Sequence, residues 1–278
     1  MKVKLMLELK NSGLPVFLKE DSSKLEFKAS LKYDSYGRKY IEQMVGLLAD
    51  ENNLELSDKF YDVYRGICFL IDEALFHEKA FQYDITVVMD GLINGECKKT
   101  SGHFHGFNPK GTHTYPEVYE VIYGKALYIL QKANNFESDY EHIELQDVIL
   151  VNVEAGQTII IPPDYGHCSI NIGEGPMIFS NLAYVPCPVF YDAVRHYHGM
   201  SFYVLKKDGE VVIQGNPLYP QVPKPKFATI RENETLGIKF GCPVYESFLK
   251  NPDAFDFLGN PDSYIENIMS MLIYRETY

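Results

Sequence analysis

The chain has 278 residues, of which 46% are hydrophobic, and a formal net charge of −12. A chain of this length can bury one large core, and its length would also permit two domains. The ordinary apolar content argues against a disordered chain. The acidic balance argues against a general nucleic-acid binder, which needs a positive field to displace counterions, and against docking on an anionic membrane. A small anion such as a phosphate ester is still compatible if its pocket is locally positive.

The N-terminal sequence MKVKLMLELKNSG has no long apolar core followed by a small-residue cleavage site, so we expect no signal peptide. No apolar run is long enough to predict a transmembrane helix. An odd number of irregularly spaced cysteines without a CxxC motif indicates reduced, buried thiols, and therefore a cytoplasmic protein. These cysteines are Cys68, Cys97, Cys168, Cys187 and Cys242.

The first 60 residues predict an arm and a helix that pack on the rest of the chain. Short alternating pieces at 3–6 and 25–27 suggest edge strands. The stretch 38–50 places four apolar residues on one face of an amphipathic helix, namely Ile41, Met44, Val45 and Leu48. Residues 61–76 are apolar and aromatic, and their pattern does not separate helix from strand.

From residue 83 to 182, short strands recur at intervals of roughly ten residues with turn signals between them. This pattern predicts an all-β barrel or sandwich. Residues 107–115 are expected to form a loop, and 134–142 a polar hairpin tip. Strands are predicted over 83–89, 97–105, 117–130 with a turn at Gly124-Lys125, 148–153, 157–161, 168–172 and 177–182.

Beyond Pro186 the pattern changes. We predict a short helix or turn at 190–197, a hairpin formed by 200–206 and 210–213, a proline-rich extended piece at 217–226, and helices at 247–258 and 263–273. We expect one domain with three parts: an arm and helix at 1–60, a barrel at 61–220, and a helical extension at 221–278.

His103 and His105 begin the stretch that we expect to organise the functional site. In a strand, residues two apart point to the same side, so Phe104 packs on the opposite face. Glu117 begins the next strand, and His167 follows the Pro-Pro turn of a later one. Three imidazoles and a carboxylate suit Fe²⁺, Zn²⁺, Mn²⁺ or Ni²⁺ and leave positions open for water or substrate.

Three other histidines carry weaker patterns. His113 lies in the loop and is expected to be solvated rather than to contact substrate. His196 and His198 form a second HxH, but their segment lacks clear strand alternation, so we do not assign them as ligands.

The stretches GHFHGFNPKGTHTYPEVYEVIYGKALYILQ and VEAGQTIIIPPDYGHCSINIGEGP resemble the two cupin motifs, which implies an all-β cupin jelly-roll barrel. Cys97 stands where the first motif usually has glycine, and the spacer between HxH and glutamate is longer than in compact cupins. The matching positions are His103, His105, Glu117 and Gly124 in the first motif, and Gly156, Pro162, His167 and Asn171 in the second.

More narrowly, YDITVVMDGLINGECKKTSGHFH, PEVYEVIYGKALYILQ and the late DGE…GNPLY are similar to the cupin-type, or archaeal-type, glucose-6-phosphate isomerases. This resemblance covers about residues 61–219. It implies a metal-dependent aldose–ketose isomerase of glycolysis and gluconeogenesis that interconverts glucose 6-phosphate and fructose 6-phosphate. It also implies a homodimer with one divalent metal ion per subunit, with Fe²⁺ favoured over Zn²⁺, Mn²⁺ or Ni²⁺.

By this resemblance the metal ligands are His103, His105, Glu117 and His167. An enediol route needs a base near C1 and C2 of the sugar, and Glu117 is the candidate. The sequence leaves open whether Glu117 is base, ligand or both, and whether the reaction uses an enediol or a hydride shift.

The resemblance also assigns substrate contacts. The phosphate anchor maps onto Thr86, Thr100, the Gly102 backbone and Tyr119, although strand propensity is an equal explanation for Thr86 and aromatic packing is an alternative for Tyr119. Strand alternation lets only one of Lys98 and Lys99 face inward, and we expect Lys99. Tyr61 and Tyr184 match pocket tyrosines, and Tyr61 is equally explained as a core aromatic. Tyr191 and Ala193 stand where archaeal members carry a histidine and then a tyrosine.

Two other functions fit the same residues. One is another metal-cupin enzyme, acting on a different phosphosugar or as a dioxygenase. The other is a non-catalytic cupin that binds a sugar or effector. Assays on phosphorylated and plain sugars separate the first from the proposed isomerase, and metal analysis bears on the second.

Overall fold

The computed structural model describes residues 6–19, 24–28 and 30–275. The strands are β1 (Met6–Glu8), β2 (Val16–Lys19), β3 (Leu25–Phe27), β4 (Leu31–Lys32), β5 (Ser35–Tyr40), β6 (Lys59–Arg65), β7 (Cys68–Phe69), β8 (Phe81–Val88), β9 (Leu92–Ile93), β10 (Glu96–Cys97), β11 (Phe104–His105), β12 (Glu117–Tyr123), β13 (Lys125–Asn134), β14 (Glu144–Glu154), β15 (Thr158–Ile161), β16 (Tyr165–Asn171), β17 (Met177–Tyr184), β18 (Val189–Phe190), β19 (Phe202–Lys207), β20 (Glu210–Gly215), β21 (Lys226–Ile230) and β22 (Leu272–Tyr274).

The helices between these strands are short. The α-helices are α1 (Glu73–Lys79), α2 (Asp192–His196), α3 (Val244–Lys250) and α4 (Ile265–Met269). The 3₁₀ helices are Lys10–Ser12, Ile41–Met44, Tyr140–His142, Glu234–Leu236, Pro252–Leu258 and Pro261–Ser263. Within the described ranges, no helix has the length and apolar character needed to cross a membrane.

Two large sheets form the barrel. The first has the order β15-β12-β17-β8-β6-β5, and the second has the order β16-β13-β14-β21-β22. Between β12 and β17 the chain crosses from one sheet to the other after β12, β14, β15 and β16, which is typical of a jelly roll. The all-β jelly-roll prediction is therefore confirmed.

Gly124 makes the tight turn that carries the chain from β12 to β13. Its φ is +85°, in the left-handed region, and a Cβ added there would lie 2.9 Å from the Pro176 carbonyl oxygen. Only glycine fits both conditions without strain. The turn therefore fixes where the first sheet ends and the second begins.

Alternation along β12 divides its side chains between two cores. Tyr119 and Val121 pack in the core between the two sheets. Val118 and Ile122 pack in a second core on the outer face of the first sheet, together with Tyr245 and other apolar residues of the C-terminal region. The C-terminal region therefore covers the outer face, while the inner face of β12 is left for the site.

The parts outside the central barrel also contribute strands to its sheets. From the N-terminal side, β5 forms the edge of the first sheet, and from the C-terminal side β21 and β22 extend the second. Most of the predicted strands and the 200–213 hairpin are present, with bounds that differ by a few residues. The division into arm, barrel and extension stays a prediction.

The helix predicted over 38–50 is wrong. Residues up to Tyr40 belong to β5, because their backbone groups pair with β6, and only Ile41–Met44 turn as a 3₁₀ helix. Three of the four apolar residues are buried, but Val45 is 45% exposed. Strand pairing has thus overridden an apolar spacing that resembled a helical face.

Two other predicted elements differ from the structure. The strand at 97–105 is broken, because Gly102 has a φ of +76° and only β10, β11 and isolated bridges remain there. The helix at 263–273 ends at Met269, because Leu272–Tyr274 pairs with β21. The predicted helix at 247–258 is two pieces, α3 and a 3₁₀ helix that begins at Pro252. The edge strand expected at 3–6 falls mostly on residues 1–5, which lie outside the described residues.

Glu120 is a buried carboxyl in the outer core. Its Oε2 accepts a hydrogen bond from the Val244 backbone N–H at 3.0 Å, while its Oε1 has no partner among the described residues. Burial raises the pKa of Glu120 to about 8. The folded protein therefore keeps this proton over a pH range in which the unfolded chain, with a pKa of 4.5, releases it.

We expect the free energy of unfolding to fall as pH rises through this window, because the folded state binds the additional proton. Glu120→Gln cannot ionise and should be more stable than the wild-type protein at alkaline pH, by on the order of 2 kcal/mol. Urea unfolding of both proteins at acidic and alkaline pH measures the difference. The exposed Glu266→Gln is the control, and a stability difference that does not change with pH contradicts the expectation.

Candidate metal centre and substrate cavity

Four side chains converge at one end of the barrel interior: His103, His105, Glu117 and His167. We call these four residues the tetrad. Their ligand atoms all lie within 4.8 Å of one another. The Nε2 atoms of His103 and His105 are 3.1 Å apart, and Glu117 Oε2 lies 3.3 Å from Nε2 of both His105 and His167. The structure therefore brings together the four residues that the sequence pattern singled out.

The backbone explains why these residues meet. His103 and His167 form an antiparallel bridge, in which each backbone N–H donates to the other's carbonyl at 3.1 and 2.9 Å. Glu117 is the first residue of β12 in the facing sheet. Phe104 points the other way and stacks on Phe136 at 4.7 Å, as alternation predicted. The imidazoles thus come from one side of the barrel and the carboxylate from the other.

Burial and mutual contact set the protonation of the tetrad. Burial lowers the pKa of His103 and of His167, so both imidazoles are neutral. Burial alone opposes charge on His105 as well, but hydrogen bonds with Cys187 and Glu117 raise its pKa. Burial likewise opposes ionisation of Glu117, yet contacts with His105 and His167 hold its pKa well below the usual range. His103 and His167 are therefore neutral beside an ionised Glu117, which is the form in which these groups bind a metal ion, whereas His105 would release its proton when the ion binds.

The spacing of the ligand atoms fits a divalent transition metal. Neighbouring ligands separated by 3.1–3.3 Å are the edges of a coordination polyhedron whose bonds are about 2.0–2.3 Å long. Three nitrogens and one oxygen also match the preference of Fe²⁺, Zn²⁺, Mn²⁺ and Ni²⁺. The residues present therefore fit a metal ion.

Hydrogen bonds fix the orientation of two ligands. The Asn181 amide donates to Glu117 Oε1 at 2.8 Å, and the Tyr119 hydroxyl donates to Oε2 at 3.0 Å. His105 Nδ1 donates to the Tyr115 carbonyl at 2.8 Å, which leaves its Nε2 free to face the other three residues of the tetrad. Such partners set the tautomer and the ring orientation of metal ligands.

The long loop between His105 and Glu117 is held by two aspartates. Asp262 accepts hydrogen bonds from Asn108 at 2.8 Å and Thr112 at 2.7 Å, and pairs with Lys110 at 3.2 Å. Asp164 accepts the Thr114 backbone N–H at 3.1 Å. Since Tyr115 lies in the same loop, these contacts hold the carbonyl that orients His105.

We expect Asp262→Ala to weaken metal binding without removing a ligand. With only Asp164 left to hold the loop, the Tyr115 carbonyl should orient the His105 ring less firmly, and the metal dissociation constant should rise by up to about 10-fold. Competition against a chromophoric chelator measures it. The control is Asp253→Ala, which removes an exposed aspartate outside the loop, and equal affinities for the two variants contradict the expectation.

A cavity of about 270 Å³ opens above the tetrad. It is lined by most of the residues that the sequence assigned to substrate or metal: Tyr61, Thr86, Thr100, Gly102, His103, His105, Glu117, Tyr119, Tyr184 and Tyr191. Tyr61 hydroxyl lies 3.4 Å from Ser101 Oγ, and the Tyr191 ring lies 5.4 Å from that of His103. The Thr100 hydroxyl already accepts the Ser169 backbone N–H at 3.1 Å.

Lys99 is not among the residues that line the cavity, so the expectation that it faces inward is wrong. Its ammonium group forms a buried ion pair with Glu96 and lies over the Tyr203 ring. Lys98 donates to the Lys59 carbonyl at 2.9 Å and is also outside the cavity. The segment is too irregular for strand alternation to decide which way its side chains point.

The structure adds polar cavity residues that the sequence patterns missed: Arg65, Gln82, Asp84, Ser101 and Asn181. Arg65 could have been found, because it follows Tyr61 and Val63 at the period of two on β6. Asp84 and Asn181 pair directly across β8 and β17. Their nearness depends on strand register between distant segments, which no local pattern reveals.

The remaining histidines lie apart from the tetrad. His113 Nδ1 lies 3.1 Å from Asp164 Oδ2 in the held loop, so it has a protein partner rather than solvent alone. The His196 ring packs against Tyr140 and Tyr197. His198 has a φ of +53° and follows α2.

Comparisons with known proteins point to one family. A family model described as glucose-6-phosphate isomerase (GPI) matches residues 37–221. Proteins named glucose-6-phosphate isomerase from Pyrococcus furiosus and Thermococcus litoralis are 29% and 30% identical over 141 residues, which is 50% of this chain and 65% of each relative. The Pyrococcus abyssi protein of the same name is 26% identical over 180 residues, which is 64% of this chain and 84% of that protein. The first two matches thus span just under two thirds of those relatives.

Proposed function

Because the chain belongs to the glucose-6-phosphate isomerase (GPI) family, we propose that it interconverts glucose 6-phosphate and fructose 6-phosphate in glycolysis and gluconeogenesis. The observation that carries the proposal is the tetrad at the base of a polar cavity. A cavity of about 270 Å³ approaches the size range of small-molecule sites. The sugar would place C1 and C2 beside Glu117.

We propose that the tetrad holds one divalent metal ion, with Fe²⁺ favoured over Zn²⁺, Mn²⁺ or Ni²⁺. His103, His105, His167 and Glu117 Oε2 would be the ligands. When bound, the ion would polarise the carbonyl and hydroxyl oxygens of the sugar. Metal analysis of the purified protein identifies the ion.

Glu117 is the group that would move the proton. In an enediol route its carboxylate takes the proton from C2 of the aldose, and the electron pair of the broken C–H bond forms the C1=C2 double bond. The carbonyl oxygen at C1 takes up a proton. Loss of the C2 hydroxyl proton and return of a proton to C1 then give the ketose. The Asn181 amide on Oε1 supports the carboxylate throughout.

A hydride shift would move the same hydrogen from C2 to C1 without a base. Glucose 6-phosphate deuterated at C2 separates the two routes in water. In the enediol route the base takes up the deuterium and can exchange it with water, so the product contains less deuterium. In a hydride shift the deuterium moves directly to C1 and is retained there. NMR of the fructose 6-phosphate formed measures the retained fraction.

The phosphate would bind at the side of the cavity lined by Thr86, Thr100 and the Gly102 backbone. The Thr86 hydroxyl has no hydrogen-bond partner among the described residues, so it is available to a ligand. Tyr61, Tyr184 and Tyr191 would enclose the sugar from the cavity mouth. The homodimer implied by the family resemblance and the cytoplasmic location predicted from the cysteine pattern stay predictions.

The direct test is the assay of metal-loaded protein with a panel of phosphorylated and plain sugars. We expect interconversion of glucose 6-phosphate and fructose 6-phosphate and little turnover of unphosphorylated glucose. Absence of that interconversion in metal-loaded, folded protein refutes the proposal. Preference for another sugar phosphate would identify a different isomerase on the same site.

A further inference from the structure

Arg65 is the last residue of β6, and its side chain lines the cavity. It shares a strand face with Tyr61 and Val63, which line the cavity as well. It is the sole lysine or arginine among the described residues around this cavity. A guanidinium is charged at every relevant pH, so Arg65 makes one wall of an otherwise acidic site permanently positive.

The position of the guanidinium follows from a glycine on the edge strand. Gly37 of β5 pairs with Val63, and a Cβ added at Gly37 would lie 3.8 Å from Arg65 Nη1 and 3.6 Å from Val63 Cγ1. The guanidinium therefore lies beside Val63. On its other side Val63 pairs with Thr86, whose hydroxyl has no partner among the described residues. The charge and the free hydroxyl thus flank the same residue.

Asp84 is the carboxylate beside Arg65 on the neighbouring strand, but it is engaged elsewhere. Its Oδ1 accepts the Gly66 backbone N–H at 3.0 Å, and its Oδ2 accepts the Gln82 amide at 3.1 Å. Arg65 forms no ion pair with a carboxylate in the described part of the chain. Its donor groups are therefore available to a molecule in the cavity.

The charge of the expected substrate requires such a group. A phosphate ester carries about −1.5 to −2 near pH 7, and Glu117 and Asp84 already line the cavity with carboxyl groups. Threonine hydroxyls and a backbone N–H bind phosphate oxygens but do not neutralise them. A guanidinium does both, through paired N–H donors that match phosphate geometry.

We propose that Arg65, with the Thr86 hydroxyl, binds the phosphate group of the substrate and so selects phosphorylated over plain sugars. This inference rests on the proposed function, since it assumes a sugar phosphate. Arg65 takes the role for which Lys99 was expected, and does so from β6, whereas Lys99 lies in the irregular segment between β10 and β11. It is a substrate-binding residue at a distance from the reacting carbons, so its loss acts on binding.

The test compares metal-loaded wild-type protein with Arg65→Gln, Arg65→Lys and the control Arg231→Gln, which removes an exposed arginine outside the cavity. Calorimetry gives the dissociation constants of inorganic phosphate and glucose 6-phosphate, and the isomerase assay gives KM and kcat. Thermal unfolding checks that every variant is folded. We expect Arg65→Gln to raise both dissociation constants and KM at least about 10-fold with kcat changed less than about threefold, and Arg65→Lys to fall between.

The outcomes separate this inference from the proposed function. Isomerisation with unchanged KM and phosphate affinity in Arg65→Gln overturns the role of Arg65 and leaves the function standing. Phosphate binding that depends on Arg65 in a protein without isomerase activity supports the role and refutes the function. Wild-type protein that binds neither phosphate nor glucose 6-phosphate overturns the inference. If Arg65→Gln and Arg231→Gln lose the same affinity for phosphate and glucose 6-phosphate, the inference is also overturned, because the loss then reflects the change in net charge alone.

Discussion

Glu117→Gln is expected to lower kcat by about 10³-fold while the protein stays folded and binds sugar phosphate with nearly wild-type affinity. Glutamine keeps the size of the side chain and an oxygen that can accept the Asn181 amide, now donated to Oε1 at 2.8 Å. It cannot take a proton from the sugar. Three imidazoles remain to hold the metal ion, so the loss should lie in turnover rather than in binding.

The matched control is Glu120→Gln on the same strand. Its side chain points to the outer core, so it leaves the cavity unchanged and should retain turnover. Steady-state kinetics, metal content and calorimetric binding of glucose 6-phosphate are measured for both variants. Turnover of Glu117→Gln within about tenfold of wild type contradicts the role as base. Loss of metal or of folding would instead make Glu117 mainly a structural ligand.

His167→Gln is expected to raise the metal dissociation constant at least about 100-fold and to abolish turnover at limiting metal. His167 is 1% exposed, and its Nε2 lies 3.3 Å from Glu117 Oε2. Its bridge with His103 is made by the backbone, so the substitution removes a ligand without unpairing the strands. Excess metal should recover part of the activity.

His196→Gln serves as the comparison, because it removes an imidazole from the second HxH pair, outside the tetrad. Metal titration of the two variants followed by activity at each metal concentration measures the effect. Equal affinities in His167→Gln and wild type would remove His167 from the ligand set. A loss of affinity in His196→Gln would show that the second pair also binds metal.

Alternation predicted the inner face of the site correctly along β12, which is a regular strand, and at 103–105, where the bridge of His103 to His167 and the two residues of β11 keep the backbone extended. His103, His105, Glu117 and Tyr119 lie on one side and Phe104, Val118 and Glu120 on the other. The same rule failed for Lys99, which is separated from His103 by the left-handed turn at Gly102, where φ is +76°. Its nearest carboxylate partner, Glu96, decided the orientation instead.

Other features depend on contacts that no local pattern contains. The polar row formed by Tyr119, Asn181 and Asp84 crosses three strands, and each pair is set by the register of distant segments. The spacing of Ile41, Met44 and Leu48 resembled a helix because three buried residues near a turn share it by chance. Sequence reasoning therefore gives the chemistry of the ligands better than the polar surroundings that orient them.

Asp262, which holds the loop next to His105, comes late in the chain, and this affects when the site is assembled during synthesis. Thr112 and Asp262 are 150 positions apart, so the ribosome makes all four ligand residues long before it makes Asp262. A nascent chain can pair its barrel strands while Asp164 holds the loop and the contacts of Asp262 are still missing. The full set of contacts that orients His105 is thus completed only when the C-terminal region docks, and tight binding of the proposed metal ion would belong to the last stage of maturation.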